Sequence, residues 1–490
     1  MNNNQLPRST PEAQGMSSFA ISTFVKAVEQ QNIELHSMML VRHGHVVAEG
    51  WWSPYSPERI HLLYSLSKSF TSTAIGLAID EGLLSVDDLV LSFFPEKAPD
   101  NVSAQIAAMR VHHLLSMSTG HREDTLDRVF ERGKKDWIAG FLAIPPDQEP
   151  GSVFAYNNGA TFMLSAILQR LTGMNLVEYL RPRLFEPLGI SALFWQENAQ
   201  GINFGFSGLH ITTEAIARFG QLYLQKGQWN GQQLIPAHWI EAVTANHIAT
   251  TPPPDSPPED ETPDWWQGYG YQFWQCRHNA YRGDGAFGQF CLIMPEQDAV
   301  LATTAGVENM QAILDLVWGH LLPAMGRESL PEEKGTQETL SRQLKSLSIQ
   351  PIQGEPTSHI VESISGQTYD FSYTLGDDDF HHVTLHFYHD HMLLAAEDDD
   401  GEHQIEFGYI EWRDGTTTFC APREVPTLSR GAWTEPNQLT LEMRHIQTPH
   451  SLTMEFQFDK ETLRVTGRWN VMFNWTELRE MQGKQRKVSA

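Results

Sequence analysis

The sequence predicts a mixed α/β (α+β) region followed by an all-β region. Three observations carry this reading. Helical and strand-like patterns are interspersed through residues 1–325. A polar stretch at 326–352 then interrupts the chain with the composition of a linker. Beyond it, residues 353–490 alternate apolar and polar with period two. At 490 residues the chain exceeds what one hydrophobic core usually serves, which agrees with that division.

Taken in order, HSMMLVRHGHVVAEGWW at 36–52 reads as a β-hairpin, two apolar runs flanking the turn-like Arg42-His43-Gly44-His45. Residues 66–82 have helical spacing at Phe70, Ala74, Leu77 and Ala78, with Gly82 as the stop. Residues 159–173 and 213–226 carry the same pattern. Thr212 or Thr213 suits the cap of the latter, and Glu214 suits its first turn. TPPPDSPPEDETPD at 251–264 holds six prolines and five acids and must be a loop, because proline lacks the amide donor that helices and central strands need. WWQGYGYQFW and NAYRGDGAFGQFCLIMPEQDAVLATTAG then read as two or three strands with tight glycine turns.

In the last region Tyr369, Phe371 and Tyr373 share one parity. So do Val383, Leu385 and Phe387, then Leu439, Leu441 and Met443, then Met454, Phe456 and Phe458. Asp414-Gly415 reads as a hairpin turn. The expectation is an antiparallel sheet over 353–490, closed into a barrel or sandwich. No internal repeat recurs at a fixed period.

Composition excludes several function classes. Hydrophobic residues are 41% of the chain and charged residues 19%, the balance of packed cores and not of a disordered polyampholyte. A formal net charge of −26 argues against a grip on nucleic acid or an anionic membrane, which both need basic patches. Cys276, Cys291 and Cys420 are too sparse for a disulfide framework and lack the Cys-x-x-Cys of a zinc site. The N-terminus MNNNQLPRSTPEAQG shows no basic-then-apolar export signal, and no run of 18 apolar residues occurs, so the expected location is cytoplasmic.

The stretch YSLSKSF at 64–70 places a lysine on a segment that otherwise reads as a core helix. A serine hydroxyl is a poor nucleophile until a base takes its proton. Residues i and i+3 share a helix face, so Ser65 would sit beside the Lys68 amine. The helix N-terminus and burial both favour the neutral amine, which can serve as general base. Two further stretches bear on the same chemistry. FAYNNGA carries Tyr156 and Asn158, a phenol able to exchange protons with a buried lysine and an amide able to orient lysine and substrate. GDGAFGQF at 283–290 has the small residues that let a strand lie against a substrate and aim a backbone N–H at it.

These three pieces in this order resemble the serine β-lactamase and penicillin-binding protein superfamily, with its Ser-x-x-Lys, Tyr-x-Asn and Lys-Thr-Gly-like elements. The resemblance spans roughly residues 10–325 and extends to VHHLLSMSTGH and FGQLYLQKGQWNGQQLIPAHWI, which are like stretches of class C-type members. It implies a β-lactamase/transpeptidase-like fold: a helical domain packed on an antiparallel sheet with flanking helices, and the site between them. It implies Ser65 as nucleophile, Lys68 as its base, Tyr156 as shared acid/base and Asn158 as a ligand of substrate and lysine. The oxyanion hole would be the backbone N–H groups of Ser65 and of Ala286, the residue after Gly285. Lys-Thr-Gly itself is missing, and Gly283-Asp284-Gly285 aligns best with it, because Ala286-Phe287-Gly288-Gln289 resembles the turn that follows that element in esterase-type members. Asp284 would repel a substrate carboxylate, which favours esters or amides without that acid over penicillin.

Other signals read as scaffold. In HHVTLHFYHDH at 381–391, His382 and His386 share the wet face of a strand with Thr384, so no metal site is expected. His112 and His113 read as structural, and the aspartates at 377–379 and 398–400 as solvated turns. The expected protein is a serine hydrolase acting through an acyl-enzyme on a small-molecule ester or amide, without metal or organic cofactor and with no nucleic-acid or membrane partner. A D-amino-acid peptidase or amidase is the alternative, then a β-lactamase or DD-carboxypeptidase, then an inactive binding paralogue. The sequence does not fix the oligomeric state.

Overall fold

The apolar runs around His43-Gly44 form the expected hairpin, Leu35–Arg42 (β1) and His45–Trp51 (β2). His43 and Gly44 take φ of 47° and 72°, the left-handed pair whose twist matches that of the strands. The computed structural model describes residues 5–133, 136–250, 263–371, 380–421, 423–474 and 476–487. Most of the proline-acid loop, Tyr373 and the aspartates at 377–379 lie outside the described residues. The chain divides into one unit of residues 1–51, 57–305 and 309–346 and a second of 52–56, 306–308 and 347–490.

In the first unit, β1 and β2 join Trp274–Gln275 (β3), Tyr281–Gly285 (β4), Gln289–Met294 (β5) and Ala299–Ala305 (β6). The sheet is antiparallel, in the order β2-β1-β6-β5-β4-β3. The turn from β4 to β5 runs through Ala286, Phe287 and Gly288. Helix Ser18–Gln30 (α1) packs on Lys334–Lys345, a helix that occupies the middle of the polar 326–352 stretch. There Leu340 is buried, Gln343 accepts from Ser22 at 2.6 Å, and Gln337 donates to Glu12 at 2.8 Å. The short amphipathic piece in that otherwise polar stretch is this helix.

The three expected helices are Ser67–Asp80 (α2), Asn158–Thr172 (α3) and Thr213–Leu224 (α4). Thr212 caps α4 by accepting from the Ala215 amide at 3.3 Å. A Cβ on Gly220 of α4 would stand 2.5 Å from Val300 of β6, so this helix lies flush on the sheet. Residues 67–78 of α2 are all buried, and its hydroxyls are satisfied by surrounding loops. Ser69 donates to the Gln272 carbonyl at 2.9 Å, Thr71 to the Gly205 carbonyl at 2.9 Å and Ser72 to the Tyr271 carbonyl at 2.8 Å. The helix that carries Lys68 is thus held by polar contacts as well as by its apolar face, on which Phe70 stacks against Phe219 at 3.9 Å.

The second unit is a closed nine-stranded barrel. Its strands are Thr368–Phe371 (β7), His382–Phe387 (β8), His391–Asp398 (β9), Gly401–Tyr409 (β10), Val425–Glu435 (β12), Gln438–His445 (β13), Ser451–Asp459 (β14), Thr462–Trp469 (β15) and Glu477–Gln485 (β16), with Arg413–Thr417 (β11) added on β12. The order β10-β9-β8-β7-β16-β15-β14-β13-β12 is closed by parallel pairing of Gly408 with Arg430 and Tyr409 with Gly431. Val383, Leu385, Leu439, Leu441, Met443, Met454, Phe456 and Phe458 fill its core, as the alternation requires. Asp414-Gly415 is not a hairpin turn. It lies inside β11, opposite Leu428 and Thr427. The chain reverses earlier, at Ile410 with φ 63°, and β11 is an edge strand whose middle residues are exposed. His382 faces the wet side and pairs with Glu397 at 3.2 Å. Among the described residues no helix is long and apolar enough to cross a membrane.

Candidate active site

Ser65 sits in a single 3-10 turn, Tyr64–Leu66, that runs directly into α2. The turn is entered through Tyr64 at φ 48°, an uncommon conformation for a bulky residue and one that concentrates at functional sites. Lys68 lies one helical turn on, 1% exposed. Its Nζ contacts three oxygens: Ser65 Oγ at 3.0 Å, Asn158 Oδ1 at 2.6 Å and the Phe206 carbonyl at 2.9 Å. Burial pulls the Lys68 amine down to about 7, while the Asp124 and Asp284 carboxylates hold it up.

Asn158 begins α3, and Asn157 caps that helix by accepting from the Ala160 amide. The Asn157 side chain also ties to Thr125 and Thr119, so it builds the scaffold. Asp124 fixes the orientation of Asn158. Its carboxylate accepts from the Asn158 amide nitrogen Nδ2 at 2.5 Å and from the backbone N–H at 2.9 Å. A carboxylate can only accept, so Nδ2 must face Asp124 and Oδ1 must face Lys68. The Tyr156 ring lies under the Lys68 ammonium position, 4.6 Å from Nζ to the centroid, and stacks on Trp274 at 5.5 Å. The Ser65 hydroxyl favours the deprotonated phenol. Burial and the Asp284 charge raise the phenol well above its usual range, so it rests protonated.

The third element, β4, passes hard against the start of α2. A Cβ on Gly283 would stand 2.5 Å from Ser69 Oγ, and one on Gly285 would stand 1.9 Å from the Leu63 carbonyl oxygen. Ala286 follows at the turn, with Phe287 and Gly288 at positive φ. The Phe287 ring meets that of Tyr64 edge-on at 5.5 Å. Gly285 is thus the residue that permits the strand to approach the chain entering the Ser65 turn. Gly285→Ala is expected to push strand and helix apart. A displacement of about 1 Å at a reacting centre can cost on the order of 100-fold, so kcat/KM should fall by about that much with the barrel and helix content unchanged. Steady-state kinetics beside far-ultraviolet circular dichroism checks this, and wild-type kinetics in the variant would refute it.

Asp284 does not stand open in the cleft. It is 7% exposed and paired with Arg282, which is wholly buried. Burial raises the Asp284 carboxyl, and Arg282, Lys68 and Trp274 pull it back. The structure thus brings Ser65, Lys68, Tyr156 and Asn158 into one constellation, with Gly285 of β4 against the residue before the Ser65 turn and Ala286 next in the chain. Sequence reasoning missed Asp124, the Phe206 carbonyl and Arg282. A backbone carbonyl leaves no signal in residue identity. Asp124 lies outside the three motifs, and only its contact with α3 shows its place. His112 and His113 are scaffold: His112 Nδ1 meets the Val86 carbonyl at 3.1 Å, and His113 accepts from the Arg110 amide at 3.0 Å.

A family model described as Beta-lactamase matches residues 20–310. The 6-aminohexanoate-dimer hydrolase of Paenarthrobacter ureafaciens is 27% identical over 305 residues, covering 58% of this chain and 76% of that protein. The lovastatin esterase of Penicillium rubens is 25% identical over 162 residues, covering 28% of this chain and 40% of its own length. Among solved structures, the "Putative 6-aminohexanoate-dimer hydrolase from Bacillus anthracis" superposes with a TM-score of 0.53 at 19% identity, covering 67% of this chain and 89% of that one.

Proposed function

The chain belongs to the Beta-lactamase family, and from that premise we propose that it is a serine hydrolase cleaving small carboxylic esters or amides through an acyl-enzyme on Ser65. The observation that carries the reading is the surroundings of the Lys68 amine. A neutral amine has two N–H donors and one lone pair. Asn158 Oδ1 and the Phe206 carbonyl are fixed acceptors for the two donors, which leaves the lone pair for the Ser65 hydroxyl at 3.0 Å. An amine so placed and desolvated is a base poised near neutral pH.

In this reading Ser65 Oγ attacks the substrate carbonyl carbon while its proton passes to Lys68. The carbonyl oxygen becomes an oxyanion bound by the backbone N–H groups of Ser65 and Ala286. Collapse breaks the bond to the leaving group, which takes a proton from the Tyr156 phenol. The Lys68 ammonium returns a proton to Tyr156. Water then attacks the ester on Ser65, giving its proton to the same pair, and Ser65 is released reprotonated. The high resting affinity of Tyr156 for its proton suits it to donate and not to act as the resting base.

The pH profile follows from the Lys68 value. The neutral amine is the active form, so kcat/KM on a neutral ester should rise with pH through about 7 and then level off. It should not fall again before the phenol range, since the Tyr156 proton is held more tightly than usual. A profile already flat from pH 5 would contradict Lys68 as the base.

Both an amide hydrolase and an esterase appear among the relatives, which supports esters and amides alike. A panel of p-nitrophenyl esters, linear and D-amino-acid amides, and nitrocefin tests the substrate class. Turnover of the esters or linear amides in preference to nitrocefin is expected. Hydrolysis of nitrocefin alone would overturn it.

A further inference from the structure

Arg282 and Asp284 lie two residues apart on β4, so their side chains share a face, opposite to Gly283 and Gly285. Nε and Nη2 of Arg282 each stand 2.9 Å from Asp284 Oδ2. The guanidinium lies over the Trp265 ring at 4.3 Å, and its Nη1 donates to the Asp264 carbonyl at 3.0 Å and meets Cys276 Sγ at 3.0 Å. The Asp264 carboxylate is engaged elsewhere, by Arg277, Gln311 and Trp318. Among the described residues, Asp284 is thus the one carboxylate within ion-pair reach of Arg282. Trp274, the ring on which Tyr156 stacks, also lowers the Asp284 carboxyl. The residue after Asp284 is Gly285, pressed against the chain entering the Ser65 turn.

A buried guanidinium without an anion is strongly unfavourable, and an aromatic face with the Asp264 and Gln275 carbonyls does not replace one. The arrangement is that of an anion subsite beside the reacting centre, already filled from within the strand. We propose that Arg282 forms a carboxylate-binding subsite which Asp284 occupies as an internal anion, so that the site takes substrates with a neutral or cationic group there and rejects those with a free carboxylate. The subsite stands on geometry alone, while its effect on substrate choice rests on the serine hydrolase reading above. Asp284 here is more than a repelling charge: its removal exposes an attracting one. Two carboxylates on one guanidinium repel each other, whereas the vacated position offers a lone one a buried partner.

Two measurements test this. The first is thermal unfolding of wild type, Asp284→Ala, Asp284→Asn and the double variant Arg282→Met/Asp284→Ala in formate or acetate, against chloride at equal ionic strength. Formate and acetate are expected to raise the Tm of Asp284→Ala and not that of wild type or the double variant, because ligand that binds only the folded state stabilises it. Absence of that difference overturns the proposal. A variant that folds only in formate supports it. The second uses the p-nitrophenyl esters of glutaric acid with the far carboxyl free or methylated. Wild type should favour the methyl ester on the order of tenfold or more in kcat/KM, and Asp284→Ala should narrow or reverse that ratio by about tenfold. Equal use of both esters by wild type overturns the proposal, and this arm needs no variant to fold. The thermal arm is an equilibrium reading, so it stands even if Ser65 is not the nucleophile. Loss of the Ser65 assignment with a retained formate effect would separate the two claims.

Discussion

Ser65→Ala is expected to fold as the wild type does and to turn over nothing above background. Ser65 is not a helix cap: α2 begins with Leu66 at its cap position, and no side-chain cap bond is made there. The hydroxyl contributes one hydrogen bond, to Lys68, and such a bond is worth about 1 kcal/mol net. The thermal midpoint should therefore shift by a few degrees at most, while the acyl acceptor is gone. Full loss of activity with an intact melting transition is the expected pair of results. Substantial esterase activity in the variant would remove Ser65 from the chemistry.

The next largest effects belong to Lys68 and Tyr156. Lys68→Met keeps the volume of the buried stem and removes the base. Tyr156→Phe keeps the stack on Trp274 and removes the proton donor. General acid or base groups contribute typically 10²–10⁴-fold, so each single variant should lose kcat by that order. In the proposed mechanism the two side chains share one proton path to Ser65, so the double variant should lose little more than the weaker single. Multiplying losses would show that the residues act separately.

Much of this was legible before any coordinates. The helices α2, α3 and α4 announced themselves through spacing and stop signals because each packs against several partners with a periodic face or a cap. The barrel core followed from strict alternation, since one face of every strand is buried. The pairing of Ser65 with Lys68 is a local matter of one helical turn, so sequence distance stood in for real distance. What escaped was either backbone or long-range. Phe206 contributes its carbonyl, which any residue could offer. Asp124 holds Asn158 across a separation that carries no periodic signal. Arg282 looked like one more strand residue until its neighbour two positions on proved to be its counter-ion. Asp414-Gly415 misled for the opposite reason: the dipeptide favours a turn locally, yet pairing with β12 extends it into a strand at an exposed edge.

The central claim is that Ser65 alone among the chain's serines is activated, by Lys68, to accept an acyl group. A fluorophosphonate reacts with activated serines, so the most direct measurement is intact-mass spectrometry of the wild-type protein after exposure to one, followed by peptide mapping. One adduct per chain on the peptide carrying Ser65, formed faster as pH rises through about 7 and missing in Lys68→Met, is the expected result. Labelling of a different serine, or equal labelling of wild type and Ser65→Ala, would contradict it.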